Sequence, residues 1–263
     1  FRGSFSHAVR APNISELYAP TLGSFASIGD PCFIGNVDNG SNNRYDNCVA
    51  IGADPATVPP SGAPFLAVTA AGNPDLDEER ARTWTAGVLF EPDFIPGLVA
   101  SLDWYDIRIK DAIIVQTAQQ FVNLCVDQNS VNNPQCANIV RDPGTGELLS
   151  ATVRPYNVSQ IETAGADLSL SYSFAPDGWG AFNLRGTVGY LDKLKYENAP
   201  GLVENKRGVL GAPKWVATGD VTWRMDNLIV NYGLNYIGEQ LLFSRELLAA
   251  QPDIASDSVI KVE

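Results

Sequence analysis

The chain has few of the residues that build catalytic, metal or nucleic-acid sites. Its 263 residues include one histidine, His7, one methionine and four cysteines, and no cysteine pair has the C-x-x-C spacing of a zinc or redox centre. The 18 Lys and Arg residues are outnumbered by 30 Asp and Glu residues, which gives a net charge of −12. Because no basic stripe is present to displace counterions from phosphates, nucleic acid is excluded as a partner.

Further features that the sequence lacks narrow the class of protein. No apolar run approaches the roughly 18 residues of a transmembrane helix. There is no phosphate-binding glycine loop and no nucleophile elbow, so we expect neither an enzyme nor a bound cofactor. The chain has no signal peptide and no initiating methionine, and it begins within a strand-like pattern at Phe1, so we expect a fragment or a processed piece.

The four cysteines form two local pairs within segments rich in Asn, Asp, Gly and Pro. We predict disulfides between Cys32 and Cys48 and between Cys125 and Cys136, in preference to a metal site. Each bond would close a loop of roughly 12 to 17 residues and stabilise the fold by about 3 kcal/mol in the chain-entropy model. Disulfides indicate an oxidising compartment, such as the periplasm or the cell surface.

The most regular pattern in the chain covers residues 162–174, E-T-A-G-A-D-L-S-L-S-Y-S-F. Side chains alternate between the two faces of a strand, so one face is apolar and the other is small and polar. A length of about ten residues and an apolar face that ends in aromatic residues, here Tyr172 and Phe174, are typical of a transmembrane β-barrel strand. A soluble sheet with one face in a core gives the same alternation.

The alternation recurs in other segments: 1–9, 82–90, 98–110, 181–194, 214–224 and 228–237, with a last strand starting in 257–263. The connections between them are alternately long and short. Outer-membrane barrels combine long extracellular loops with short periplasmic turns. We therefore predict an all-β fold, an antiparallel transmembrane β-barrel segment of about seven to eight strands with long extracellular loops. A soluble β-sandwich, carbohydrate-binding or hydrolytic, is the alternative.

The two long connections are 10–77 and 112–156, and each contains one cysteine pair. The first is rich in Pro, Gly, Asn and Asp and is predicted to be irregular. In the second, residues 116–127 have a helix-like spacing of apolar residues. We predict a small helical cap there, held by its disulfide.

Four stretches resemble the TonB-dependent outer-membrane receptors. They are H-A-V-R-A-P-N-I-S-E-L-Y (7–18), G-N-P-D-L-D-E-E-R-A-R-T-W (72–84), D-W-Y-D-I-R-I-K-D-A-I (103–113) and Y-N-V-S-Q-I-E-T-A-G-A-D (156–167). They occur in the family's order and together span residues 7–167, which is most of the chain. The second stretch departs from the family pattern, with Asp77 where Lys is usual and Glu78 where Pro is usual.

The resemblance implies a 22-stranded barrel closed by an N-terminal plug domain. It also implies import of a scarce ligand, such as an iron–siderophore, cobalamin or an oligosaccharide, driven by the TonB complex acting on an N-terminal TonB box. On this basis residues 1–263 are the C-terminal part of the barrel, with plug and TonB box absent, located in the outer membrane of a Gram-negative cell. A passive porin-like barrel, or an adhesin, is the rival within the membrane class.

Large rings with polar tips, and cations, are suited to capture a ligand at the loops. The candidates for ligand binding are Arg10, Tyr18, Phe25, Phe33 and Tyr45. Each of them can equally well be packing its own loop. Lys193, Lys195, Lys206 and Arg207 are candidates for contacts with lipopolysaccharide phosphates, or form an ordinary charged loop. The inward charges Asp167, Arg185, Asp220 and Arg224 are candidates for contacts with the plug.

Overall fold

The computed structural model describes residues 1–59, 65–199, 202–243 and 259–260. In chain order the elements are β1 (Arg2–Arg10), α1 (Ile14–Tyr18), β2 (Leu22–Ala26), α2 (Arg44–Ala50), β3 (Leu66–Ala70), β4 (Glu79–Phe90), β5 (Leu98–Ile114), α3 (Ala118–Asp127), β6 (Ile139–Arg141), β7 (Leu148–Val153), β8 (Tyr156–Phe174), β9 (Ala181–Ala199), β10 (Leu202–Asn205), β11 (Trp215–Met225), β12 (Leu228–Ile237), β13 (Gln240–Leu241) and β14 (Val259–Ile260). Two 3-10 turns lie at Val37–Asn39 and Cys136–Asn138.

Seven strands form one antiparallel sheet, the main sheet, in the order β1-β4-β5-β8-β9-β11-β12, with β10 added to β9. The connections after β1, β5 and β9 are long and lie at one end of the sheet, the cap end. Those after β4, β8 and β11 are short and lie at the other end, the turn end. The predicted antiparallel all-β architecture is therefore confirmed. Within the described residues β1 and β12 are unpaired on their outer sides, so the sheet is an open part of a barrel.

The main strands agree with the alternating segments and are often longer. β12 spans Leu228–Ile237, as predicted, whereas β8 and β9 each have 19 residues and continue the pairing toward the cap end. Of the strand predicted at 257–263, only Val259–Ile260 lies within the described residues, where it pairs with Gln240–Leu241. The strands therefore include the segments whose side chains alternate in the sequence, and several strands continue beyond those segments.

The apolar face of the main sheet is bounded by two rows of aromatic rings. At the cap end Phe5 lies 4.5 Å from Trp84 and Tyr190 lies 4.5 Å from Trp215, measured between ring centroids. At the turn end the rings of Phe174 and Phe182 are stacked 5.1 Å apart, and Tyr172 and Trp223 extend that row. Phe182 and Tyr190 lie eight positions apart on β9, which is about 26 Å along the strand and about 20 Å across a bilayer at a tilt of about 40°.

The apolar residues between these two aromatic rows do not pack into a hydrophobic core. Leu168, Leu170, Trp215 and Tyr232 would share a dry interior in a β-sandwich. They are instead 42%, 44%, 43% and 62% exposed. An uncovered apolar face of this size is expected where lipid is the solvent. The arrangement is therefore the one that the membrane-barrel interpretation predicts.

The opposite face of the main sheet is polar and carries cross-strand hydrogen bonds. Ser4 and Thr85 are joined by a hydroxyl–hydroxyl hydrogen bond of 2.6 Å, as are Thr187 and Thr218. The guanidinium of Arg2 forms an ion pair with Asp103. Gly87 makes room for this pair, since a Cβ there would lie 2.0 Å from Asp103 Oδ1. The face of the main sheet opposite the apolar one is thus formed by small and polar residues.

The two long connections fold together into a second unit, the cap, made of residues 11–59, 65–78 and 115–155. Its four-stranded sheet has the order β2-β3-β7-β6, and the central pair β3–β7 is parallel. Phe121 and Val122 of α3 pack in one hydrophobic cluster with Ile28, Val68 and Ala151. This cap holds most of the fully buried side chains of the described residues.

The structure corrects the predicted loop conformations. α3, at Ala118–Asp127, confirms the predicted helix, and both disulfides, Cys32–Cys48 and Cys125–Cys136, are present. The prediction of an irregular first connection was wrong, because it contains α1, α2, β2 and β3. Among the described residues, none of the helices combines the length and apolarity of a membrane-spanning helix.

Candidate ligand-capture site

Two buried ion pairs join the first long connection to the second within the cap. Arg141 holds Asp30 in a bidentate arrangement, with guanidinium–carboxylate distances of 2.7 and 2.8 Å, and the Asp30 side chain is only 1% exposed. Arg44 binds both oxygens of Asp127 at 2.7 and 2.6 Å. Gly40 permits this approach, because a Cβ there would lie 1.9 Å from Arg44 Nε. The two connections are therefore fixed to each other by charge as well as by their shared sheet.

Arg10, a predicted ligand contact, lies at the junction between β1 and the cap. Its guanidinium donates to Glu79 at 2.5 Å and to both oxygens of Glu16 at 3.1–3.2 Å. Glu16 in turn accepts the Asn13 backbone N–H at 2.7 Å, while the Asn13 side chain accepts the Glu16 N–H, which completes a capping box on α1. Arg10 thus ties α1 to β1 and β4, and its contact with a ligand stays a prediction.

This junction is expected to loosen in acid. The Arg10 hydrogen bond, with help from the Asn13 N–H, lowers the pKa of Glu16 below its ordinary value. A carboxylate whose pKa is lowered by folding stabilises the fold above its unfolded-state pKa, about 4.3, and loses that contribution as the pH falls through the folded value. We expect the protection of the α1 amides, relative to the intrinsic exchange rate at each pH, to fall as the pH drops below the unfolded-state pKa. In Glu16→Gln this acid-dependent loss of protection should be smaller, and an identical pH profile in both proteins would contradict the assignment.

The four predicted aromatic contacts occupy different parts of the cap. Tyr18, Phe25 and Tyr45 are exposed at the end of α1, on β2 and on α2. Phe33 is half-buried next to Cys32, with its ring against Gly35. No stacking contact joins these four rings within the described ranges, so they do not form one aromatic cluster. Their role in ligand binding stays a prediction.

The outer face of the cap sheet carries no charged residue along its central row. Phe25 is opposite Ala67, Ala67 is opposite Ser150, and Ser150 is opposite Val140, so the row crosses all four strands. Phe25 and Val140, on the two edge strands, are 76% and 54% exposed. This row of the cap sheet is therefore uncharged and has an aromatic ring at one edge.

A cavity of about 380 Å³ lies where the cap meets β5, β8 and β9. Six of its ten lining residues are amides, and we call it the amide pocket: Gln128, Asn132, Asn133, Gln135, Asn157 and Asn198, with Asp111, Pro134, Tyr156 and Ala199. Asp111 has a left-handed backbone (φ 54°), a conformation that aspartate tolerates better than most residues. Its carbonyl accepts a 2.6 Å hydrogen bond from the Asn157 side chain.

Sequence reasoning missed this pocket. The one signal available was the density of amides in residues 128–138, Q-N-S-V-N-N-P-Q-C-A-N, which were taken as part of the second loop. The other walls come from positions 111, 156–157 and 198–199. A pocket assembled from distant segments requires the strand register, and local patterns do not contain it.

The charged candidates are largely paired within the chain. Lys193 lies 3.4 Å from Glu162, Lys206 lies 2.5 Å from Glu204, and Arg207 lies 3.7 Å from Asp192. On the inner face Asp220 is directly opposite Arg185 in the β9–β11 register. These positions leave open the predicted contacts with lipopolysaccharide and with a plug.

The fold and the cap define a class of protein: a membrane β-barrel wall with an elaborate folded unit at one end. A family model described as TonB dependent receptor-like, beta-barrel, matches residues 1–251. The chain belongs to this family, whose members are transport receptors and not enzymes. No curated protein matches the chain.

Solved structures similar in fold to this chain include receptors for siderophores. The ferric enterobactin receptor PfeA of Pseudomonas aeruginosa, in complex with enterobactin, matches with 16% identity and a TM-score of 0.51, over 91% of this chain and 26% of its own. The siderophore receptor PirA of Acinetobacter baumannii is 16% identical with a TM-score of 0.49, over 98% of this chain and 30% of its own. The chain thus spans less than a third of the length of the solved receptors it matches.

Proposed function

We propose that this chain is part of the barrel of an outer-membrane receptor that captures a scarce ligand and imports it with energy from TonB. The observation that carries the proposal is the apolar outer face of the main sheet, bounded by two aromatic rows and topped by the cap. In this proposal residues 1–263 are a C-terminal part of the barrel wall, and the plug and TonB box belong to the rest of the receptor.

The orientation follows from the unequal ends of the main sheet. Short turns face the periplasm and long loops face the outside in outer-membrane barrels, which puts the cap on the cell surface. The two disulfides of the cap suit that oxidising side of the membrane. Ligand contacts proposed from the cap are Tyr18, Phe25 and Tyr45, which are exposed there, together with the half-buried Phe33 and, at the junction with β1, Arg10.

Charged residues on the polar face of the main sheet favour a plug as partner. Arg185 and Asp220 and, nearer the turn end, Arg224 lie on the polar face that a barrel turns toward its lumen. Asp167 lies on the same face of β8, opposite Gly189 of β9. A plug with complementary hydrogen-bonding groups would satisfy these charges, whereas a passive porin would leave them in water. The proposal therefore includes the plug as a partner.

The test is uptake by cells that make the protein in its natural full length. Growth is followed under limiting iron with ferric siderophores, under limiting cobalamin, and on oligosaccharides as carbon source, each with TonB intact or deleted. We expect one of these ligands to support growth, and deletion of TonB to abolish uptake of that ligand at low concentration. Uptake that continues without TonB would make the protein a passive barrel, and recovery in the soluble fraction would contradict the outer-membrane location.

A further inference from the structure

We propose that the amide pocket binds an uncharged, hydroxyl-rich group of the ligand, chemically a sugar ring of an oligosaccharide. This inference rests on the proposed function and adds to it the chemical class of what is captured. The pocket is distinct from the aromatic candidates Tyr18, Phe25 and Tyr45, because none of them lines it. Its side chains at Asn133 and Asn157 are bonded within the fold, whereas Asn132, Asn198 and the Nε2 group of Gln135 offer hydrogen-bonding capacity to a ligand.

The strongest of these groups is the side chain of Gln135, which is only 5% exposed. Its carbonyl oxygen accepts a hydrogen bond of 3.0 Å from Gln128, and Gln128 also donates 2.8 Å to the Leu124 carbonyl. The Gln135 Nε2 group has no acceptor within the described part of the chain. This atom is not one of the described side-chain atoms that are buried without a partner, so it is open to the pocket, where a ligand or water can accept its hydrogen bond.

Other donors and acceptors surround the same space. The side chains of Asn132 and Asn198 form no hydrogen bond with the described residues, although both line the pocket. The Tyr156 hydroxyl accepts 3.0 Å from Asn138 and retains its own proton to donate. Amides and hydroxyls each donate and accept, which is the property that a sugar hydroxyl needs in its partner.

The charges of the pocket disfavour ionic ligands. Asp111 is its only charged lining residue, and no Lys or Arg lines it. An anionic group would find no cation in the lining: Arg10, Arg44 and Arg141 are each bonded to carboxylates, and Arg154, which forms no ion pair with the described residues, lies two positions from Tyr156 but does not line the pocket. A cation would find a single carboxylate. Neutral hydrogen bonding is therefore the chemistry that the pocket provides.

The shape of the pocket agrees with a ring. Its volume of about 380 Å³ is at the lower end of the range for small-molecule sites. Tyr156, whose ring stacks on Phe121 at 6.0 Å between centroids, and Pro134 add apolar ring atoms to the lining, which suit the C–H groups of such a ring. The pocket thus combines several polar groups with apolar ring atoms.

The experiment measures binding by the natural full-length protein, purified in detergent. The probes are an array of neutral oligosaccharides (gluco-, manno-, xylo- and chito-oligomers) and, separately, ferric enterobactin as an anionic siderophore. We expect at least one neutral oligosaccharide to bind and ferric enterobactin not to compete with it. Asn132→Ala and Asn198→Ala should each weaken that binding about threefold to tenfold, as expected for loss of one neutral hydrogen bond.

Asn42→Ala is the matched control, because Asn42 is an exposed cap asparagine outside the pocket; it should leave the affinity unchanged. A non-reducing gel and the thermal midpoint establish that each variant keeps its folded cap. The inference is overturned if no neutral oligosaccharide binds, or if binding is equally strong in the Asn132 and Asn198 variants. TonB-dependent uptake of a siderophore alone would overturn the inference while leaving the proposed receptor function intact. Sugar binding without TonB-dependent uptake would overturn the proposed receptor function while leaving the inference about the amide pocket intact.

Discussion

Leu170→Arg is expected to destabilise the membrane-inserted protein by about 2–4 kcal/mol, the cost of an arginine on the lipid face near the bilayer midplane. Leu170 is four positions from Ala166, which is level with Tyr190 in the cap-end aromatic row. It is also four positions from Phe174 in the turn-end row. Its neighbours Ala100 and Gly186 are small, so the leucine side chain is 44% exposed and is surrounded by lipid in the proposed orientation.

The matched control is Ser169→Arg, one position away on the same strand and therefore on the opposite face. Ser169 is flanked by Ser101 and Thr187, so its replacement points into the polar interior. Urea unfolding of both variants in lipid vesicles, with the natural full-length protein as reference, measures the difference. An arginine at 169 that costs as much as one at 170 would mean that the assigned faces are wrong.

Arg141→Met is expected to destabilise the cap by about 3–5 kcal/mol, because it leaves the carboxylate of Asp30 buried without its partner. Asp30 would keep only the 2.9 Å hydrogen bond from the Cys32 N–H. The loss of the guanidinium would also remove a 2.8 Å hydrogen bond to the Gly146 carbonyl. Hydrogen exchange of β2, β3, β6 and β7 should rise, whereas exchange in the main sheet should remain as it is.

Two comparison variants separate the buried charge from other effects. The double change Asp30→Asn with Arg141→Met removes both charges and should recover part of the lost protection. Lys206→Met breaks the more exposed Lys206–Glu204 pair and should cost at most about 1 kcal/mol. If Arg141→Met is no more harmful than Lys206→Met, the ion pair does not join the two connections of the cap.

The main sheet could be predicted because its signal is local. Each long strand places residues such as Leu168 and Ser169 on opposite faces, and that alternation is visible within one segment. The alternation of long and short connections between these strands was equally visible in the sequence. The same reasoning identified both disulfides, since each joins cysteines within one connection.

The cap sheet could not be predicted because its strands are short and their partners are distant. β2 and β3 read L-G-S-F-A and L-A-V-T-A, without a clean period of two, and β3 pairs with β7 about 80 residues away. The amide pocket could not be predicted for the same reason, because only the strand register shows that Asp111, Gln135 and Asn198 line one cavity. Of the proposed contacts, Arg10 was chosen for its charge alone, and its two carboxylate partners come from other elements.

The parallel pairing of β3 with β7 has a consequence for engineering and for divergence between relatives. A graft that transfers only one of the two connections into another receptor would expose an unpaired strand edge and orphan either Asp30 or Arg141. An exchange of ligand specificity between receptors therefore has to transfer both connections, although about 40 residues of the main sheet separate them in the sequence. We expect an insertion into either connection to be tolerated only where it preserves the β3–β7 pairing and the Asp30–Arg141 ion pair.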